Sequence, residues 1–214
     1  MEKDFLKTGT TTVGLLGKDF VVIAADKRAT AGNLIVDKNT EKVIQINDTM
    51  GLTIAGSVSD LQLIIKYLKA ELKLKELRTR RVPTVKEAAN LLSGINYNNI
   101  RKYSTIVGVC HFLFAGNDST GSHLYDLFPD GSITEITEKS GFISSGSGSV
   151  FAYGVLEDSW KKDMNEKDAI ELALRSINAA LQRDTASGQG ADVMVVDKNG
   201  ARMVAHKIVN TNLQ

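Results

Sequence analysis

The sequence predicts an α+β fold of stacked layers, and three observations carry that reading. The apolar patterns fall in segregated runs, in the order strands, two helices, strands, two helices, strands, which is the sign of layering and not of βαβ alternation. At Gly56 the period of the apolar residues changes from about two to about 3.6. The strands are joined by short turns, among them Asp197-Lys198-Asn199-Gly200, whose Asn-Gly pair is a strong hairpin signal. A chain of 214 residues with no Pro/Gly/Ser-rich linker fits one domain with a substantial core.

Each element has its own signal. Residues 10–16 are extended and β-branched, residues 17–19 form a turn, and residues 20–25 are an apolar strand, so the start reads as a hairpin. Asp26-Lys27-Arg28 ends it with charges. The chain then runs through Ala31-Gly32-Asn33 to a turn at residues 38–40, followed by short strands at 43–46 and 52–55. Residues 57–77 place Leu61, Ile64, Ile65, Leu68 and Leu72 at helical spacing, with Ser57 or Ser59 as N-cap. Pro83-Thr84 opens a second helix reaching about Arg101. Strands return at 105–115, 122–127 and 132–137. Helices follow at about 150–161 and 166–184, the latter with Asn165 as N-cap, and strands at 192–196 and 202–206 close the chain.

Composition removes several function classes. With 26 Lys and Arg against 25 Asp and Glu the net charge is +1, which gives no electrostatic reason to expect nucleic acid or an anionic membrane as partner. The basic residues at 69–81 are interspersed with Glu71 and Glu76 and read as a solvated helix face. No apolar run approaches the roughly 18 residues of a membrane-spanning helix. The single cysteine, Cys110, excludes an internal disulfide framework and fits a reducing, intracellular setting. Its apolar surroundings mark a buried structural thiol. The histidines at 111, 123 and 206 have no short metal-ligand spacing, so neither a catalytic metal nor another cofactor is expected.

The chemistry centres on Gly9-Thr10-Thr11-Thr12-Val13-Gly14. Residues 1–9 are short and charged, with no secretory apolar core, and read either as a tail or as a removable propeptide. Removal would leave Thr10 with a hydroxyl and a free α-amine, a nucleophile and its base on one residue. Taken alone, the same threonines also suit an edge strand. Lys42 begins a strand, where its ammonium would favour an alkoxide if it lay nearby, although strand-end lysines are commonly just solvated. Asp26 and Arg28 follow a buried-looking strand, and Gly56 sits at a strand-to-helix turn where an N–H can serve an oxyanion. Gly146-Ser147-Gly148-Ser149 precedes a helix and offers a nucleotide-binding alternative, weakened by the lack of a third glycine and of a Walker lysine.

Taken together, Gly9-Thr10-Thr11-Thr12-Val13-Gly14, Ala25-Asp26-Lys27-Arg28, Lys42, Thr53-Ile54-Ala55-Gly56, Gly146-Ser147-Gly148-Ser149, Tyr153-Gly154-Val155-Leu156 and Arg183-Asp184-Thr185-Ala186-Ser187-Gly188 resemble, in order and wording, proteasome β-type subunits of the archaeal type. The resemblance covers nearly the whole chain after Thr10. It implies a four-layer αββα sandwich of two antiparallel sheets flanked by helices, the N-terminal nucleophile (Ntn) hydrolase fold. It also implies self-cleavage between Gly9 and Thr10, with residues 1–9 as propeptide and 10–214 as the mature domain.

By the same resemblance Thr10 is the nucleophile of a threonine endopeptidase, Lys42 lowers its hydroxyl pKa, and Asp26 holds Lys42. The Gly56 amide serves the oxyanion, and Ser147, Asp184 and Ser187 orient the α-amine. Thr30, Gly56 and Val58 would follow the substrate backbone, while Ala29, Thr40, Ile44, Ile54 and Val58 would line an apolar pocket favouring cleavage after Leu, Phe or Tyr. The implied partners are other β-type subunits in a seven-membered ring, rings of α-type subunits, an ATP-dependent unfoldase or cap, and unfolded polypeptide substrates, all cytoplasmic. A β-type subunit that fills a ring position unprocessed and inactive is the rival expectation.

Overall fold

The structure is a computed structural model and describes residues 9–209. The expected propeptide therefore lies outside the described residues except for Gly9. Among the described residues twelve strands and four helices follow in the order β1 (Thr12–Leu16), β2 (Phe20–Asp26), β3 (Ala29–Ala31), β4 (Leu34–Asp37), β5 (Val43–Asn47), β6 (Met50–Gly56), α1 (Val58–Thr79), α2 (Val85–Arg101), β7 (Cys110–Asp118), β8 (Gly121–Leu127), β9 (Ile133–Ile136), β10 (Phe142–Ser145), α3 (Ser149–Ser159), α4 (Glu166–Leu181), β11 (Gly190–Asp197) and β12 (Gly200–Ile208).

Two five-stranded antiparallel sheets form the centre, one ordered β10-β1-β2-β11-β12 and the other β5-β6-β7-β8-β9, with β3-β4 as a separate hairpin. Helices α3 and α4 cover the first sheet and α1 and α2 the second, giving four layers, αββα. Strand alternation explains why the central strands read as nearly unbroken apolar runs, since both of their faces are buried. On β2, Val22 and Ala24 turn to the helices while Val21, Ile23 and Ala25 turn to the opposite sheet. On β7, Phe112 and Phe114 meet α1 and α2, whereas Leu113 and Ala115 meet the other sheet. Each fully buried Val, Leu, Ile or Phe contributes about 1.5–3 kcal/mol.

Helix starts follow local chemistry. Thr84 accepts from the Glu87 N–H at 3.2 Å while the Glu87 carboxylate accepts from the Thr84 N–H at 2.9 Å, a complete capping box. Asn165 caps α4 by accepting from the Asp168 N–H at 2.9 Å. Ser57, not Ser59, is the N-cap of α1, and its hydroxyl donates to the Asp60 carboxylate at 2.6 Å instead of receiving a backbone N–H.

Several elements differ from those read in the sequence, three of them instructively. The strand expected from residue 105 begins at Cys110: the Ser57 N–H to Val109 carbonyl bond at 2.8 Å is the last rung beside the Gly56↔Cys110 pair, β6 then gives way to α1, and residues 104–107 are left exposed. Helix α4 ends at Leu181, not at residue 184, which frees the Asp184 carboxylate for the site. The strand β10, Phe142-Ile143-Ser144-Ser145, has no apolar and polar alternation and gave no periodic signal, yet it pairs with β1 along Thr12↔Ser145. Cys110 is fully buried, and desolvation pushes its thiol up to about 12, so the sulfur is inert packing at neutral pH.

Candidate active site

Sheet register assembles the site. β1 lies between β10 and β2, with Thr12 opposite both Ala25 and Ser145, so residues 10–12 run beside Asp26 on one side and residues 145–147 on the other. β11 pairs with the far edge of β2 through Ala191↔Asp26, which brings the loop before β11 to the same end. Lys42 stands just before β5 in the second sheet and reaches across.

The Lys42 Nζ donates to Thr10 Oγ1 at 3.0 Å and to Asp26 Oδ1 at 2.8 Å. Lys42 and Asp26 are both buried, with side chains 5% and 0% exposed, so this charge pair is shielded from water. Burial pushes the Lys42 pKa below the usual lysine range, and the Asp26 carboxylate opposes that shift by favouring the charged form. Asp26 is fixed by three further donors. The Thr11 N–H meets Oδ1 at 3.0 Å, while the Arg28 and Gly188 N–H groups meet Oδ2 at 3.1 and 2.9 Å. The Thr10 hydroxyl is thereby held against a lysine whose own position is over-determined.

A second set of contacts surrounds the Thr10 nitrogen, which donates to Ser147 Oγ at 3.2 Å. Ser147 in turn donates to Asp184 Oδ2 at 2.7 Å, and Ser187 donates to the same oxygen at 2.6 Å. The Thr10 hydroxyl donates to the Gly9 carbonyl oxygen at 2.6 Å, so the hydroxyl and the peptide carbonyl of the Gly9-Thr10 junction are in contact. A Cβ at residue 9 would fall 1.9 Å from the Ala186 Cβ, so only glycine passes this point without displacing the loop.

A cleft opens beside Thr10, lined by Gly9, Thr10, Ala29, Thr30, Thr40, Lys42, Ile54, Gly56 and Val58. Gly56 ends β6 in its wall, opposite Cys110 of β7. Thr30 Oγ1 accepts from the Gly9 N–H at 3.3 Å. Ile44 is not among the lining residues. It is half-buried and packs against the cluster under α1 and α2, one register position from Val43, which faces the other sheet. Arg28, Val36 and Leu61 do line the cleft and were not singled out as pocket residues. Val36 lies on the exposed strand β4, whose apolar Leu34-Ile35-Val36 was the available signal.

Two further buried polar residues gave no signal in the sequence, and only the first touches the site. Thr11 is fully buried with its hydroxyl 2.7 Å from Ser187 Oγ. Lys27 is buried on Asp192 at 2.8 Å, beside His206. Among the described residues no group of three or more His, Cys, Asp or Glu is arranged to hold a metal ion. The Gly146–Ser149 turn is engaged with Thr10: Ser147 as above, and Gly148 through an N–H to the Thr10 carbonyl at 3.4 Å.

Comparison with known families decides what this arrangement belongs to, because residues 6–196 match the family model described as proteasome subunit. The chain belongs to the proteasome subunit family. The matched span includes both sets of contacts around Thr10, from Gly9 to Gly188, and α1 to α4. Proteins named proteasome subunit beta are similar along most of their length. That of Archaeoglobus fulgidus is 43% identical over 199 residues, covering 93% of this chain and 90% of the relative. That of Ferroglobus placidus is 42% identical over 196 residues, covering 92% and 90%. That of Methanothermobacter thermautotrophicus is 41% identical over 214 residues, covering 100% of this chain and 98% of its own. The sheet β5-β6-β7-β8-β9, both helical layers and the other sheet up to Val196 of β11, without β12, thus fall within the proteasome-family match. None of the described helices is long and apolar enough to cross a membrane.

Proposed function

We propose that this proteasome-family chain is a threonine endopeptidase subunit of a proteasome core particle, in which self-cleavage between Gly9 and Thr10 exposes the nucleophile. The observation that carries the reading is the Lys42 Nζ standing 3.0 Å from Thr10 Oγ1 while bound to buried Asp26. In processing, Thr10 Oγ attacks the Gly9 carbonyl carbon, the C–N bond breaks, and the nitrogen takes the hydroxyl proton. Water then hydrolyses the resulting ester, leaving Gly9 as a carboxylate and residues 10–214 as the mature chain.

The freed α-amine has an ordinary pKa of about 7.7–8.0, so it is substantially unprotonated at neutral pH. It takes the hydroxyl proton as Oγ attacks a substrate carbonyl, with the nearby Lys42 charge stabilising developing negative charge on Oγ. The Gly56 N–H receives the oxyanion. The amine passes its proton to the departing substrate nitrogen, and water, activated by the same amine, hydrolyses the acyl ester. Ser147, Asp184 and Ser187 hold the amine in place.

Substrate would lie along Thr30, Gly56 and Val58 as an added strand, and the apolar wall of Ala29, Ile54, Val58 and Leu61 favours cleavage after Leu, Phe or Tyr. Assembly in a seven-membered ring with further β-type subunits, α-type rings and an ATP-dependent unfoldase would confine this activity to unfolded chains in the cytoplasm. Exposed apolar side chains such as Leu34, Val150, Phe151 and Ile208 are consistent with such burial between subunits.

A peptide vinyl sulfone ending in Leu tests the reading directly. The assembled particle is expected to carry one adduct per subunit, mapped by tandem mass spectrometry to a fragment beginning at Thr10, with a Glu-ended analogue reacting at least about tenfold more slowly, the scale of a mismatched apolar pocket. Absence of any adduct at Thr10 would favour the inactive ring subunit instead, and faster labelling by the Glu-ended probe would refute the apolar preference.

A further inference from the structure

We infer that Thr11, the residue after the nucleophile, is a positioning residue that ties the two halves of the site together. This rests on the proposed threonine-peptidase reading. Thr11 touches both halves. Its N–H donates to Asp26 Oδ1 at 3.0 Å, on the oxygen that also receives Lys42, and its hydroxyl lies 2.7 Å from Ser187 Oγ. The residue is fully buried, so neither contact is shared with solvent.

Donor accounting sets the direction of the second contact. A carboxylate only accepts, and Asp184 Oδ2 receives both Ser147 at 2.7 Å and Ser187 at 2.6 Å. The Ser187 proton is therefore committed to Asp184, so in the 2.7 Å contact Thr11 is the donor and Ser187 the acceptor. The result is one chain of hydrogen bonds running Thr11 to Ser187 to Asp184, where Ser147 also ends, and Ser147 accepts from the Thr10 nitrogen. Polarisation runs head-to-tail from Thr11 through Ser187 to Asp184; beyond that shared oxygen the effect is positional, because the carboxylate that Ser187 fixes is the one that receives Ser147.

The packing leaves the hydroxyl no other place. A Cβ on Gly148 would lie 2.0 Å from Thr11 Oγ1, so the strand and the turn before α3 close on this oxygen. An edge-strand threonine selected for β propensity alone does not require a buried hydroxyl in that position. Thr11 accordingly keeps Ser187 aimed at Asp184, and through Asp184 and Ser147 it keeps the Thr10 nitrogen where it must accept a proton.

The test uses the assembled, processed particle and a fluorogenic peptide ending in Leu. Thr11→Val, which removes the donor at nearly constant shape, is expected to lower kcat about tenfold with KM changed less than twofold, and Thr11→Ser is expected to recover most of that loss. In a double-mutant cycle, Thr11→Val and Ser187→Ala should be non-additive, since both break the same chain. Where Thr11→Val does not assemble, Thr11→Ala against Thr11→Ser makes the same comparison, with the serine variant at least fivefold faster in kcat.

Equal kcat for the hydroxyl-bearing and hydroxyl-free variants, a change confined to KM, or full additivity with Ser187→Ala would overturn the assignment. A parent particle whose turnover does not depend on Thr10 would instead overturn the peptidase reading and this inference with it.

Discussion

The Thr10→Ala chain is expected to keep its Gly9-Thr10 junction intact and to hydrolyse no peptide. The side chain that Lys42 approaches at 3.0 Å and the atom that contacts the Gly9 carbonyl at 2.6 Å are one hydroxyl, so a single substitution removes the nucleophile of processing and of catalysis together. Loss of a serine nucleophile in a comparable unit lowers turnover by a factor on the order of 10⁶, which for this assay means background. The fold should survive. Thr10 precedes β1 and among the described residues its Oγ1 has only Lys42 and Gly9 as partners, while Asp26 retains Lys42 and three backbone donors. The measurement is peptide hydrolysis and gel mobility on particles of normal assembly; residual turnover within a hundredfold of the parent would assign the nucleophile elsewhere.

Lys42→Ala is expected to act almost as strongly, and for two separable reasons. Catalytically, it removes the charge beside Thr10 Oγ1, and a positioned proton-handling group contributes roughly 10²–10⁴-fold. Structurally, it strands the Asp26 carboxylate in a dry site with only N–H partners, and breaking a buried ion pair from one side costs about 3–5 kcal/mol. Lys42→Arg separates the two effects. It retains a cation near Asp26, so most of the stability should return, but a guanidinium does not present a single ammonium to both Oδ1 and Oγ1. The expected outcome is a melting temperature near that of the parent with kcat still lowered at least about a hundredfold. An active Lys42→Ala particle would leave no catalytic role for this residue.

Much of this was legible in the chain and some was not, for physical reasons. The change of period at Gly56 and the turn residues located the layers, because burial on one face writes a pattern into each helix. The capping box at Thr84 and Glu87 and the cap at Asn165 fall where side-chain chemistry marks them. The strand β10 left no such mark, since Phe142-Ile143-Ser144-Ser145 has no apolar and polar alternation, and its pairing with β1 depends on tertiary register. Residues 105–109 look like the start of a strand because they are apolar, but the neighbouring strand β6 ends at Gly56 and turns into α1, so the ladder stops at the Ser57 to Val109 bond.

At the site, Thr10, Asp26, Lys42, Ser147, Asp184 and Ser187 were named through the resemblance to a family, and spacing alone left each of them with a surface or turn alternative. Their convergence is a property of the sandwich: Lys42 comes from one sheet, and Thr10 and Asp26 from the adjacent interior strands β1 and β2 of the other. Ile44 shows the limit of carrying a lining residue by motif, because here it faces the cluster beneath α1 and α2 and not the cleft. Thr11 was hidden for the opposite reason. A buried threonine hydroxyl has no sequence signature, and it becomes visible only when Ser187, 176 positions away, is seen 2.7 Å from it.

The central claim is that this chain makes its own nucleophile by cutting itself before residue 10, and the intact mass of the subunit within the assembled particle measures that directly. A mass equal to residues 10–214, with an N-terminal threonine confirmed by sequencing, is the predicted result. A fully assembled, stable particle in which every copy still carries Gly9 joined to Thr10 would contradict it.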